Sequence, residues 1–168
     1  MKPVVVGPIS RAVGAPPALV YQMLAAIGTG SASNGDRSEV LARNGDELVC
    51  DFWTRVSLPG GIVRHVRTRE RVTLRPPDGV DYLHLDGPVR GLRESITVTA
   101  QPGGGASMAY LGVYEPRSLF DAVRAHLLVR PAMPRIMREH FEDVRQRAEA
   151  RAARSRVFPR QGALSPPA

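Results

Sequence analysis

Four clusters of turn-forming residues set the strongest limit on how this chain can fold. They are Asn44-Gly45-Asp46, Pro59-Gly60-Gly61, Pro76-Pro77-Asp78-Gly79 and Pro102-Gly103-Gly104-Gly105. They bound segments 38–43, 47–58, 62–75, 80–86, 92–101 and 107–114, which carry strand-like composition. The links between these segments are too short for crossover helices, so they describe antiparallel hairpins and a meander. Residues 4–13 form a further strand ahead of them, with Val4, Val6, Ile9 and Val13 as candidates for burial. Ala15-Pro16-Pro17 opens a short helix, because proline suits a first helical turn. Leu19, Val20, Met23, Leu24 and Ile27 recur at helical spacing, and Gly28 is a natural stop. Residues 28–36 are small and polar and predict a mobile loop.

Residues 115–153 read as one long helix. Ser118 and Asp121 resemble a capping box at its start. Leu119, Val123 and Leu127 form a first apolar stripe, and Pro131 and Pro134 predict a kink or break. Met133, Ile136, Met137, His140, Phe141, Val144 and Ala148 resume a three-to-four spacing wide enough to cover one face of a sheet. The expected architecture is α+β: a curved antiparallel sheet of about seven strands wrapped around a long C-terminal helix, with a short helix after the first strand. Such a geometry encloses a hollow. Residues 1–154 make the domain, and the proline-bearing tail 155–168 is expected to be disordered.

A chain of 168 residues suffices for one domain with a real core. No apolar run is long enough to span a bilayer. Cys50 is the only cysteine, which excludes an internal disulfide and any multi-cysteine metal site and makes a reducing cytoplasm the default location. The formal net charge is +7, yet Lys2 is the only lysine and the arginines are spread along the chain. That distribution fits solvated faces better than a nucleic-acid patch. Arg145, Arg147, Arg151, Arg154, Arg156 and Arg160 do gather near the C-terminus, where they could touch an anionic surface.

Strand alternation sorts the side chains. Leu92, Glu94, Ile96, Val98 and Ala100 oppose Arg93, Ser95, Thr97 and Thr99, so the first set faces inward. Val66, Thr68, Glu70, Val72 and Leu74 oppose His65, Arg67, Arg69, Arg71 and Thr73; the arginine row must face water, so Glu70 points in. Two carboxylates thus fall on apolar inner faces, where burial is costly without a partner. Such groups are raw material for general acid–base chemistry, and Arg64 shares the parity needed to pair with Glu70. Tyr82, His84 and Asp86 share one face of their strand, and Met108, Tyr110 and Tyr114 one face of theirs. Phe52 and Trp53 are adjacent and must point opposite ways. His65, His84, His126 and His140 show no metal-ligand spacing. Gly103-Gly104-Gly105 lacks the Lys-Ser/Thr of a phosphate loop, no nucleophile elbow occurs, and Cys50 reads as core.

Three stretches carry a family resemblance. Ile9-Ser10-Arg11-Ala12-Val13-Gly14-Ala15-Pro16-Pro17-Ala18-Leu19-Val20-Tyr21 is similar to a strand–x–AP–x–x–VY opening. Val80-Asp81-Tyr82-Leu83-His84-Leu85-Asp86-Gly87-Pro88-Val89-Arg90-Gly91 resembles a Y-x-x-x-x-G-P strand and turn. Tyr110-Leu111-Gly112-Val113-Tyr114, with Met137, His140, Phe141, Ala148, Glu149, Arg151 and Ala152 on the helix that follows, resembles the ending. Together they resemble the START-like (SRPBCC) superfamily, the helix-grip fold of the birch-pollen allergen, lipid-transfer START domains and aromatic polyketide cyclases. The usual second short helix, with its tryptophan and proline, has no counterpart in 28–36. The family has no universal catalytic set, so the resemblance implies a hydrophobic-ligand cavity more firmly than a reaction.

The leading expectation is binding of a small hydrophobic organic molecule (lipid-, polyketide- or isoprenoid-like) between sheet and last helix. Val66, Thr68, Val72, Tyr82, Ile96, Val98, Met108, Met137 and Phe141 would line the site, and Glu70, His84, Glu94 and Tyr110 would be its polar handles. The alternative is a polyketide cyclase or dehydratase in which Glu70 or Glu94 is the base and His84 or Tyr110 polarises a carbonyl. A third reading is an interaction protein that meets RNA or a membrane through the Arg-rich helix end. Neither cofactor nor metal is expected, a homodimer is compatible with the sequence, and neither nucleic-acid binding nor integral membrane insertion is expected.

Overall fold

The computed structural model describes residues 2–28, 35–57 and 61–157. The expected tail, save its first residues, and most of the expected 28–36 loop lie outside the described residues. Seven antiparallel strands form one sheet: β1 Val4–Val13, β2 Arg37–Asn44, β3 Glu47–Ser57, β4 Val63–Arg75, β5 Gly79–Asp86, β6 Arg93–Ala100 and β7 Ala106–Tyr114. Their spatial order is β1-β7-β6-β5-β4-β3-β2. Helix α1 (Pro17–Leu24) follows β1. Helix α2 (Leu119–Arg124), a π-helical turn (Ala125–Val129) and helix α3 (Arg130–Val157) run on without interruption.

The meander from β2 to β7 needs only short turns, and β1 closes the order by pairing with β7. Val4, Val6, Ile9 and Val13 are buried, as alternation requires. The change of parity after Val6 is absorbed by a register shift between Val6 and Ile9. In Gly7, at φ +103°, an added Cβ would lie 2.8 Å from the carbonyl oxygen of Tyr110, so the shift needs glycine. The core joins inward side chains of β1 and of β3 to β7, Leu48, Cys50, Val72 and Val80 among them, to α1 and to the Met137, Phe141, Val144, Ala148 and Ala152 stripe of α3.

Ser118 caps α2, its Oγ accepting the Asp121 amide hydrogen at 3.0 Å. Pro131 and Pro134 do not end the helix. The irregularity takes the form of the π turn just ahead of them, whose wider ring relieves the clash between a proline ring and the carbonyl one turn back. The stripe of Leu119, Val123 and Leu127 corrects an expectation: all three are exposed. Ala125 and Val129 are buried instead and continue the Met137 and Phe141 face back at four-residue steps. On an uninterrupted α-helix Leu119 and Val123 would fall about five turns before Met137 and Phe141, on the same face; the intervening π turn acts as an extra residue and rotates them off it.

The outer face of the sheet carries the arginine row as expected. Asp51, buried on β3, takes bidentate contacts from Arg67 and Arg69 at 2.7 to 3.1 Å. These hydrogen bonds, with burial opposing them, hold its carboxyl down to about 2. Trp53 lies on the same side beneath Arg37, whose guanidinium carbon is 4.0 Å from the ring centre. Phe52 turns inward and meets Tyr82 edge to face at 6.2 Å. Near the C-terminus two of the arginines pair within α3: Arg145 with Glu142 and Glu149, and Arg147 with Asp143.

Because the Asp51 carboxyl is depressed, its contribution to stability is present above its ordinary value of 3.8 and is lost as pH falls toward about 2. Asp51→Asn is therefore expected to lower stability at neutral pH by about 1 kcal/mol. It should also flatten the acid limb of a plot of unfolding free energy against pH. Denaturant unfolding across that range checks both.

Candidate functional site

Register brings the inward polar residues together. The β4–β5 hairpin turns on Pro76-Pro77-Asp78 and sets Glu70 directly opposite His84. The β5–β6 pairing sets Tyr82 opposite Glu94, and β6–β7 sets Glu94 opposite Gly112. Glu70, His84, Glu94 and Tyr110, drawn from four adjacent strands, thus share one inner patch, and all four are buried.

The contacts run in a chain. Tyr110 Oη donates to Glu94 Oε1 at 2.6 Å. Glu94 Oε2 lies 2.5 Å from His84 Nε2. His84 Nδ1 is 3.4 Å from Glu70 Oε1 and makes no hydrogen bond among the described residues. Thr68 Oγ1 donates to that same Glu70 oxygen at 2.5 Å. Tyr110 belongs to the next cross-strand row, opposite Ile96 and Ile9, and reaches Glu94 by laying its phenol over Gly112. A Cβ at Gly112 would sit 2.4 Å from the phenol oxygen, so the glycine clears the path.

Electrostatics follow from burial. Desolvation pushes the Glu70 carboxyl above the ordinary range, with the nearby His84 charge pulling the other way. Burial opposes charge on His84, but the hydrogen bond to Glu94 and the charges of Glu70 and Glu94 outweigh it, so the imidazole stands above its ordinary value. The Tyr110 and Tyr82 hydroxyls are pushed up by burial and by the neighbouring carboxylates and stay protonated. Burial, aided by Glu70 and Asp51, lifts the Cys50 thiol to about 11, so it is no thiolate nucleophile. On α3, His140 is held below its ordinary value by burial and by Arg147.

One nitrogen and two carboxylate oxygens, from His84, Glu70 and Glu94, lie within 4.8 Å of one another. The sequence-based search for histidine spacing could not reveal this donor set. Each ring nitrogen faces its own carboxylate, however, and the 2.5 Å contact leaves no room for an ion between His84 and Glu94. As placed, the groups share protons. Glu94, braced by Tyr110, fixes the ring and its Nε2 proton; Nδ1 and Glu70 then form a pair able to give or take a proton.

Of the expected lining residues, Thr68, Val72, Ile96, Val98, Met108, Met137 and Phe141 are buried, while Val66 and Tyr82 are half-buried. The inner face is therefore unevenly covered: closed over β6 and β7, partly open at Phe52, Thr54, Val66 and Tyr82 on β3 to β5. Arg64 is exposed and does not pair with Glu70: the two share a face of β4 but stand six residues apart, about 20 Å along a strand, beyond side-chain reach. Asp86 is likewise exposed. Two open recesses lie elsewhere. One of about 670 Å³ is lined by the β6–β7 turn, the end of β1 and Arg145 and Glu149; the other, of about 340 Å³, by Leu83, Gly91, Arg93 and 115–117. Neither is lined by any expected site residue. Gly112 and the hydrogen-bonding role of Thr68 were missed by sequence reasoning; hairpin arithmetic about Pro77 would have paired Glu70 with His84.

Solved structures share this arrangement of elements. The aromatase/cyclase ZhuI from Streptomyces sp. R1128 superposes with a TM-score of 0.67 at 17% identity, covering 96% of this chain and 99% of that one. The chain has the helix-grip fold. The di-domain aromatase/cyclase StfQ of the steffimycin biosynthetic pathway gives 0.64 at 16% identity over 89% of this chain, which spans 53% of that protein. The protein TTHA0849 from Thermus thermophilus gives 0.54 at 18% identity, covering 92% and 99%. No protein-family model and no curated protein matches. The START-like resemblance read from the sequence therefore holds for the helix-grip architecture. Among the described residues no helix is long and apolar enough to cross a membrane.

Two outcomes follow for the relay. In NMR titration His84 should show a pKa above that of a free imidazole, and in Glu94→Gln a value below it, because desolvation then prevails. Glu70 and His84 both bind protons more tightly folded than unfolded, so their stabilisation is complete below the unfolded values of 4.5 and 6.5 and is lost as pH rises through the folded ones. Thermal unfolding from acid to alkaline pH should show stability falling across that window, and Glu70→Gln should flatten the fall.

Proposed function

We propose that the protein binds a small, largely apolar carbonyl compound between the sheet and α3 and moves protons on it, as a cyclase or dehydratase of a polyketide-like substrate does. The observation that carries this reading is the buried Tyr110–Glu94–His84–Glu70 chain beside a partly uncovered apolar face. Burying two carboxylates and an imidazole costs several kcal/mol per charge unless they are mutually satisfied. A plain hydrophobic carrier has no need of that cost. The aromatase/cyclases among the structural neighbours support the same reading.

In this reading the ligand lies against Phe52, Val66 and Tyr82 of the sheet and Met137 of α3. Apolar burial supplies affinity at ~25 cal/mol per Å². The Glu70–His84 pair takes a proton from the carbon between two carbonyl groups. The resulting enolate carbon bonds to a second carbonyl carbon of the same molecule, and the proton returns to the alkoxide oxygen formed there. A second round on the same pair, proton off carbon and proton onto hydroxyl, releases water. Glu94 and Tyr110 keep the imidazole in the tautomer both rounds require.

Glu70→Gln and Glu94→Gln are each expected to lower turnover of a poly-β-carbonyl surrogate by roughly 10² or more. Both should retain the ligand that co-purifies with the wild type, as seen by native mass spectrometry. Undiminished turnover in both variants would contradict the catalytic role. A wild type that retains ligand without converting it would establish a carrier.

A further inference from the structure

The antiparallel order places the β3–β4 and β5–β6 connections, the start of β1 and the exit of β7 at one end of the sheet. Helix α2 leaves β7 at that end, and Glu94 lies one residue into β6 from it. Most of the exposed large apolar side chains gather there too. Leu119, Phe120, Val123 and Leu127 are 80%, 78%, 55% and 68% exposed, and Ile62 and Val63 at the foot of β4 are 53% and 43% exposed. The first four fall at i, i+1, i+4 and i+8, one face of the α2 segment, and none contributes to the core.

Single exposed leucines need no explanation, but a ridge with a phenylalanine at its crest does. Its setting is cationic. Arg117 and Arg130 are exposed within the same segment, and Arg64 follows Val63 on the hairpin. Within that segment the carboxylates are Glu115 and Asp121, and Asp121 is taken by Arg124 at 2.6 Å. The chain as a whole carries +7. That charge decides between occupants: a second copy brings the same charge and is repelled, whereas an anionic bilayer attracts it. An apolar crest flanked by arginines is the form of a segment that lies in a headgroup layer.

We infer that this end of the molecule docks on anionic membrane surfaces, with Leu119, Phe120, Val123 and Leu127 entering the acyl boundary and the flanking arginines resting on the headgroups. The inference deepens the proposed function, since it places the uncovered end of the site against the phase in which an apolar substrate dissolves. It differs from contact through the Arg-rich C-terminal end of α3, which lies at the opposite end of the sheet, where Glu149 accepts from the Gly14 amide.

The test is co-sedimentation of the full chain with vesicles of phosphatidylcholine alone and of phosphatidylcholine mixed with phosphatidylglycerol. The expected result is binding to the mixed vesicles, weakening as salt rises. It should fall roughly tenfold or more in Leu119→Ser/Phe120→Ser and be unchanged in Leu111→Ser, an exposed leucine on the outer face. Hydrogen exchange on the wild type gives a second reading free of any folding defect in the variant: amides 117–127 should gain protection when mixed vesicles are added. Absence of binding, binding equal in the double variant, or self-association that the double variant abolishes would each overturn the inference. Vesicle binding is scored without substrate, so an inert Glu70–His84 pair would sink the catalytic reading and leave this one standing.

Discussion

The interior of this molecule is organised by how two desolvated carboxylates are kept inside a β-sheet. Among the described residues neither Glu70 nor Glu94 pairs with an arginine; each is answered by the single imidazole of His84, one on either ring nitrogen. Such a set is stable only while protons are shared among its members. Glu94 has a phenol on its other oxygen, and Glu70 a threonine hydroxyl on the oxygen nearer the ring. The two carboxylates differ: Glu94 is braced on both oxygens, and Glu70 is raised mainly by burial, which is why the proposed chemistry gives proton exchange to Glu70.

The fold serves this arrangement in two ways. Antiparallel register over four neighbouring strands delivers the residues to one patch, and a glycine at 112 leaves room for a phenol to cross between rows. The C-terminal helix covers the inner face unevenly. It brings Phe141, Val144 and Ala148 into the core and leaves Phe52, Thr54, Val66 and Tyr82 of β3 to β5 half-buried. Charge is handled outside: the arginine rows find Asp51 on the outer face, and Glu142, Asp143 and Glu149 along α3, which keeps cations away from the buried relay.

Much of this was legible in the residues. Turn clusters of proline, glycine and aspartate gave the strand segments to within a residue or two, because turn chemistry is local. Strand alternation placed Glu70 and Glu94 inward, because a row of arginines cannot be buried. The partner of Glu70 was not legible by parity alone: Arg64 has the right face but lies six residues along the same strand, whereas His84 lies directly across the hairpin. The helix departs from its sequence pattern where a π turn intervenes. Leu119, Val123 and Leu127 keep helical spacing among themselves, and nothing in that spacing reveals that they are out of phase with Met137 and Phe141. Gly112 carried no local signal, since its role depends on a tyrosine two residues away and a glutamate on the next strand.

In the proposed function the Glu94–His84–Glu70 chain faces a bound molecule. A crystal structure of the protein purified under gentle conditions, with its co-purifying ligand in place, tests this most directly. The expected result is ligand density between β3–β5 and α3, with a polar atom within hydrogen-bond distance of Glu70 or His84. A ligand seated elsewhere, or an interior closed over those two side chains by the protein itself, would contradict it.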